Sequence, residues 1–262
     1  MGVLNVTPDS FSDGGDFLDP ERAAHHAATM LDAGAQIIDV GGESTRPGSD
    51  PVPPEEELSR IVPVIREILA GRPDAIVSID TYRAGTAEAA LEAGARIVND
   101  VTALRADARL AGVVAEARCP VVLMHLLGEP KTMQSDPRYD DVVREVREFL
   151  LERAERAIAA GVHQENIILD PGIGFGKTLE HNLALLDHLD SLVDLGFPVL
   201  VGASRKRFIG KITGVDEAKE RLFGTVAANV IAYERGATIF RVHDVRASRE
   251  ALAVARAILN AE

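Results

Sequence analysis

The stretch Ala33-Gly34-Ala35-Gln36-Ile37-Ile38-Asp39-Val40-Gly41-Gly42 holds the pattern that sets the fold. The Ala-Gly-Ala step ends a helical segment, because glycine takes the left-handed conformation that closes a helix. A short β-branched run follows, of the length and apolar character of a strand covered on both faces. A glycine turn then opens the next segment. The same order recurs: Ala93-Gly94-Ala95 precedes Ile97-Val98-Asn99, and Arg235-Gly236-Ala237 precedes Ile239-Phe240.

Working outward, eight such runs punctuate the chain, at residues 3–6, 37–40, 75–79, 97–98, 121–124, 167–169, 199–201 and 238–242. Each is followed by a stretch of helical periodicity. Residues 54–69 put Leu58, Ile61, Val62, Ile65 and Leu69 on one face, with Glu55, Glu56 and Glu57 in the first turn as a solvated face. Residues 140–160 carry Val142, Val143, Val146, Phe149 and Leu150 as a stripe. A βα unit of about 33 residues, repeated eight times, implies a parallel sheet. Eight units close into an α/β barrel, a (β/α)8 or TIM barrel, predicted as a single domain over residues 1–262. The rival is an open doubly wound sheet. Its dinucleotide signature needs a glycine-rich turn after the first strand, where this chain has Asn5-Val6-Thr7-Pro8-Asp9.

Charge and cysteine content narrow the function. The net charge of -13 repels nucleic acid and anionic membranes, although it permits a local cationic pocket. The single cysteine, Cys119, cannot form an internal disulfide, and its place at a helix end reads as packing. No apolar run approaches the roughly 20 residues that span a bilayer, and no signal peptide opens the chain, so a cytoplasmic protein is expected.

Polar residues gather where the strands end: Asn5, the segment at 41–46, Asp80, Asn99 with Asp100, His125, Asp170, the segment at 204–206, and Arg241 with His243. In a barrel these ends share one mouth, the place where active sites are built. Asp80, Asn99 and Asp170 suit the N–H edge of a nitrogen heterocycle. Arg46, Arg241 and His243 suit a phosphate or diphosphate. Arg241 and His243 lie two apart on one strand and so face one way, with Phe240 and Val242 facing the other. Asn5 can give an oxygen to Mg2+, which takes few protein ligands beside substrate phosphates.

Other residues read more plainly. Asp100 is expected as a cap, and Asn99 could close a turn. His25, His26, His163, His181 and His188 are read as solvent-facing, without metal-ligand spacing. His125 has two readings, a functional residue or a satisfied core histidine. Gly172-Ile173-Gly174-Phe175-Gly176-Lys177-Thr178 is not a P-loop, since Pro171 stands where its first glycine belongs. A mobile loop with Phe175 as a cover is predicted, and Gly14-Gly15 and Gly41-Gly42 are taken as loop hinges.

The segment Asn5-Val6-Thr7-Pro8-Asp9-Ser10-Phe11-Ser12-Asp13-Gly14-Gly15 resembles the first signature of the dihydropteroate synthase family. Gly41-Gly42-Glu43-Ser44-Thr45-Arg46-Pro47-Gly48 resembles the second. Leu169-Asp170-Pro171-Gly172, Gly174-Phe175-Gly176-Lys177, Ser204-Arg205-Lys206 and Arg241-Val242-His243-Asp244 follow in the family's order. The resemblance implies a homodimeric transferase of folate biosynthesis. It would join 6-hydroxymethyl-7,8-dihydropterin diphosphate to p-aminobenzoate with Mg2+, in an SN1-like step, and sulfonamides would compete. It implies that Asp80, Asn99, Asp170 and Lys206 hold the pterin, that Met124, Phe175 and Gly202 line its pocket, and that Arg241 stacks on the ring. Asn5, Thr45, Arg46, Arg241 and His243 would bind diphosphate, with the metal at Asn5. Lys206, Asp170, Arg241 and His243 would carry catalysis. Phe11, Pro47, Ser204, Lys206 and Arg207 would meet p-aminobenzoate.

The chain departs from the family pattern at two points. It begins almost inside its first strand, so a less well plugged barrel floor is expected. Arg207 stands where some relatives have serine, and either draws the carboxylate or points to solvent. Two rivals remain. A pterin-dependent methyltransferase module would share Asp80, Asn99 and Asp170 without needing the diphosphate cradle. A non-catalytic pterin-binding barrel would be expected to lose Asn5, Lys206 or the loop motifs, and this chain has them all.

Overall fold

A computed structural model describes residues 1–7, 19–44, 52–128 and 131–261. Eight parallel strands form the centre: β1 (Gly2–Asn5), β2 (Ile37–Gly41), β3 (Ile76–Asp80), β4 (Ile97–Asp100), β5 (Val121–Met124), β6 (Ile167–Asp170), β7 (Leu200–Val201) and β8 (Ile239–Phe240). β1 to β6 pair in chain order, and β7 pairs with β8. Single bridges, Leu169 with Val199 and Gly2 with Val242, close the ring. All eight strands fall on the predicted runs, shifted by a residue or two at their ends.

Ten helices surround the ring among the described residues: α1 (Pro20–Asp32), α2 (Pro54–Gly71), α3 (Ala84–Glu92), α4 (Leu110–Ala117), α5 (Val142–Ala159), α6 (Leu179–Asp187), α7 (Asp190–Val193), α8 (Arg207–Thr213), α9 (Leu222–Glu234) and α10 (Val245–Leu259). The short α7 and α8 are extra to the eight-unit repeat. Local chemistry sets several ends. Asp19 accepts from the Glu21 N–H, and Asp141 accepts from the Arg144 N–H. Gly34 takes φ +100°, and an added Cβ would meet the Arg249 side chain at 2.4 Å.

Strand alternation divides the apolar residues into two layers. Ile38, Val40, Val77, Ile79, Val98, Leu123 and Leu169 turn outward and pack under the helices. Phe240 and Val242 join them, as the two-residue period requires. The alternate residues Ile97, Val122, Ile168 and Leu200 turn inward, with Met1, Ile37 and Ile239 packed against them. They fill the floor, so the expected thin floor gives way to a packed apolar layer.

Two further expectations change. Glu57 is buried, accepting from Arg83 and from the Thr86 hydroxyl, so the acidic first turn of α2 is only partly a solvated face. His181 is half-buried because its Nδ1 accepts from the Thr178 N–H and closes a capping box at α6.

Candidate active site

The C-terminal ends of the strands form one pocket. Asp80, Asn99, Met124 and Asp170 reach it from the ends of β3 to β6. Gly202, Ser204 and Lys206 enter from beyond β7, Arg241 and His243 from beyond β8, and Phe175 from the loop after β6. Ten of the predicted site residues therefore meet. Val3, Val101 and Ile173 supply apolar wall that the sequence reading did not include. Phe11, Thr45, Arg46 and Pro47, with the Gly14-Gly15 hinge, lie outside the described residues. Arg207 is exposed as the first residue of α8 and is not part of the pocket wall.

The centre is a buried charge cluster. Arg241 donates from Nε to Asp39 Oδ2 at 2.6 Å and from Nη2 to Asp80 Oδ2 at 2.8 Å. Asn99 donates from Nδ2 to the same Asp39 oxygen at 3.1 Å. Burial pushes the Asp80 carboxyl up to about 7, against the pull of Arg241 and with the help of the Asp39 charge. Burial likewise pushes Asp170 up to about 6, although the Gly172 N–H bonded to its Oδ1 at 2.7 Å and the Lys206 charge hold it down. Burial opposes the charge on Arg241, but Asp39 and Asp80 outweigh it, so this guanidinium stays protonated.

The sequence reading missed Asp39. Its one signal was a charged residue inside an otherwise apolar run. Asp100 is also buried, but it ties its own loop, accepting from the Thr102 hydroxyl and N–H and from the Leu104 N–H. It works as a turn anchor, and no helix begins there.

The glycine-rich segment is hydrogen-bonded at both ends, and it brings Phe175 to the pocket as the expected cover. Gly172, Gly174 and Gly176 all have positive φ. A Cβ on Gly172 would fall 2.0 Å from the His125 carbonyl oxygen, so only glycine fits. Asn182 accepts from the Gly174 N–H, and Tyr139 donates to the Gly176 carbonyl. Lys177 is buried beneath the loop, with Nζ 2.9 Å from His125 Nδ1 and donating to the Phe175 carbonyl at 3.0 Å. Burial, then the Lys177 charge, holds His125 down at about 2, which makes it a neutral core histidine. The loop's payload is Phe175, whose ring lies 3.9 Å below Lys206 Nζ.

Ser204 and His243 pair at the mouth, beyond the neighbouring strands β7 and β8. Ser204 Oγ accepts from the His243 N–H at 3.2 Å and lies 3.0 Å from its Nδ1. Between Ser204 and Lys206, Arg205 turns away and donates twice to Asp244, at 2.9 and 2.6 Å. Near β2, Arg83 pairs with Glu43 at 2.7 Å and donates to the Val52 carbonyl at 2.8 Å. Glu43, within the second motif, is therefore an anchor. Asn5 is not among the residues that line the pocket but lies near Asp80: a Cβ on Gly41 would sit 3.8 Å from Asn5 Oδ1 and 3.7 Å from Asp80 Oδ2. The pocket thus gathers carboxylate and amide acceptors together with cations, and Arg241 is ion-paired to Asp80 within it.

A family profile described as "Pterin binding enzyme" matches residues 1–243. A dihydropteroate synthase from Synechocystis is 49% identical over 258 residues, covering 98% of this chain and 89% of the relative. The solved Xanthomonas albilineans dihydropteroate synthase with 4-aminobenzoic acid superposes with a TM-score of 0.94 at 47% identity, covering 100% of this chain and 93% of that one. The same enzyme in complex with 7,8-dihydropteroate gives a TM-score of 0.91 at 44% identity, with coverage of 100% and 93%.

Proposed function

Since the chain belongs to the dihydropteroate synthase family of pterin binding enzymes, and is by that membership a transferase, we propose that it joins 6-hydroxymethyl-7,8-dihydropterin diphosphate to p-aminobenzoate, releasing diphosphate and 7,8-dihydropteroate. The observation that carries this reading is the gathering of carboxylate and amide acceptors and of cations around one pocket. Asp80, Asn99 and Asp170 accept from the N–H edge of the pterin, and Met124, Gly202 and Phe175 enclose its faces. Arg241 and His243 stand where the diphosphate would lie, joined in this reading by Thr45 and Arg46. Lys206, fixed over Phe175, sits between the pterin and the p-aminobenzoate that Ser204, Phe11 and Pro47 would contact.

In the reaction the methylene C–O bond breaks and its electron pair leaves on diphosphate. The pterin ring shares the positive charge, which makes an SN1-like step the best fit. The aniline nitrogen then attacks and loses its proton to water. Arg241 and His243 favour departure because they meet more negative charge in the transition state than in the bound substrate. Ser204 is committed to His243, and the reading includes no covalent enzyme intermediate.

Mg2+ belongs to this proposal. Among the described residues no group of three or more His, Cys, Asp or Glu could hold a metal alone. An ion that arrives with diphosphate needs only one or two protein oxygens, and Asn5 supplies one at the end of β1, near Asp80. Asn5 would hold it there. Once bound, the ion would neutralise charge on the departing diphosphate.

A homodimer is also proposed. Large apolar side chains left exposed concentrate on α8 to α10, at Ile212, Phe223, Ile231, Val254, Ile258 and Leu259. Among the described residues no helix is long and apolar enough to cross a membrane. A cytoplasmic setting is part of the reading and suits Cys119, which is buried and free. The test is incubation with both substrates and Mg2+, followed by diphosphate release. Release that a sulfonamide suppresses is expected, and no release above background would overturn the reading.

A further inference from the structure

Asp39 is fully buried in the middle of β2, in register with Val3 and Ser78, and faces the barrel interior. One of its oxygens, Oδ2, receives both Asn99 Nδ2 at 3.1 Å and Arg241 Nε at 2.6 Å. The other, Oδ1, is buried without a hydrogen-bond partner. A buried carboxylate with an orphaned oxygen is costly, so the fold alone gives no reason for it. Its two partners are both pocket residues. We propose that Asp39 is a positioning residue that sets the hydrogen-bonding polarity of the pocket by fixing the orientation of the Asn99 amide.

A carboxylate paired with a guanidinium accepts and does not donate. Asn99 must therefore turn Nδ2 down to Asp39, and its carbonyl Oδ1 is left to the pocket. Without the acceptor below, the amide is free to turn over and present N–H groups instead. With the carbonyl fixed, Asn99 joins Asp80 and Asp170 as a third acceptor, and the pocket selects a ligand edge rich in donors. The same Asp39 oxygen aligns Arg241, so one atom orders an acceptor and a cation of the pocket together. This inference rests on the pterin reading and adds the residue that selects the pterin's orientation.

The test measures 6-hydroxymethylpterin, without diphosphate, by titration calorimetry. Asp39→Leu removes the acceptor at similar volume and should weaken binding about tenfold. Asp39→Asn keeps an acceptor oxygen and should stay within about threefold of wild type. In an Asn99→Leu background, Asp39→Leu should add less than about threefold. Full additivity, or Asp39→Asn as weak as Asp39→Leu, would overturn the assignment. Should Asp39→Leu fail to fold, side-chain amide NMR of the unliganded wild type decides. One Asn99 Nδ2 hydrogen should exchange slowly, and free exchange of both would overturn the assignment. Failure of wild type to bind the pterin at all is a separate result, which overturns the parent reading and this one with it.

Discussion

The floor and the mouth of this barrel are built by the same strands, two residues apart, from opposite materials. Ile97, Ile168 and Leu200 close the floor. Two positions further on, the same strands place Asn99, Asp170 and Gly202 at the mouth. The lower layer is a packed apolar plug. The upper layer buries two carboxylates on one guanidinium and leaves the Asp39 Oδ1 unpaired. Burial that is favourable at the floor is unfavourable at the mouth, where it drives Asp80 and Asp170 upward. Stability and chemistry are therefore separable along a single strand.

The sharpest break of that contrast is at the mouth. Asp170→Asn and Lys206→Ala should each lower kcat/KM about a thousandfold while circular dichroism and melting stay near wild type. Near-wild-type turnover in either would remove these residues from the chemistry. At the floor the effect reverses. Leu200→Ala should cost about 2–5 kcal/mol of stability in a denaturant titration, with kcat unchanged at a temperature where the variant is folded. A selective loss of kcat would mean that the two layers are not independent.

Arg241→Ala tests the mouth more finely. It should weaken diphosphate binding about 10- to 100-fold by calorimetry, with p-aminobenzoate binding little affected. Equal diphosphate affinity in variant and wild type would refute the anion role.

The smallest effect is with pH. The Asp80 and Asp170 carboxyls titrate at about 7 and about 6 in the folded protein, above the ordinary 3.8. The folded state therefore holds their protons more tightly than the unfolded state. Their contribution to stability is complete below about 3.8 and is lost as pH rises through 6 to 7. Pterin binding needs the ionised acceptors, so affinity should rise over the same window, by about tenfold per pH unit between 6 and 7 and by up to about a hundredfold per unit below 6, where both carboxyls must lose a proton. Melting temperatures and pterin affinities at pH 5, 6 and 7 should move in opposite directions. Parallel movement would mean that the acceptors bind in their protonated form.

How far the sequence could be read follows from this division. Periods of two and about 3.6 residues are local, so the eight strands and the stripe of α5 were legible, whereas on α2 only Ile61 and Ile65 of the predicted stripe are buried and the buried face turns to Glu57, Val64 and Ile68. The gathering of Asp80, Asn99, Asp170, Arg241 and His243 followed from parallel strands sharing one end. Asp39 was not legible, because an aspartate in an apolar run carries no sign of its partners. Arg241 lies about 200 positions away, and only closure of the ring brings them together. Glu57 was misread for the same reason: its partner Arg83 arrives from a separate βα unit.

By itself the sequence determined the order of the elements, the side chains that face inward, and the set of chemistries at the mouth. Those depend on backbone sterics and on solvent aversion of apolar residues, which act over a few residues. Tertiary structure alone decided which groups pair, which way the Asn99 amide turns, that Lys177 is buried under the Phe175 loop, and that Arg207 stays outside. These depend on burial and on distances of a few ångströms between residues far apart in the chain, where charge and hydrogen bonding set the outcome.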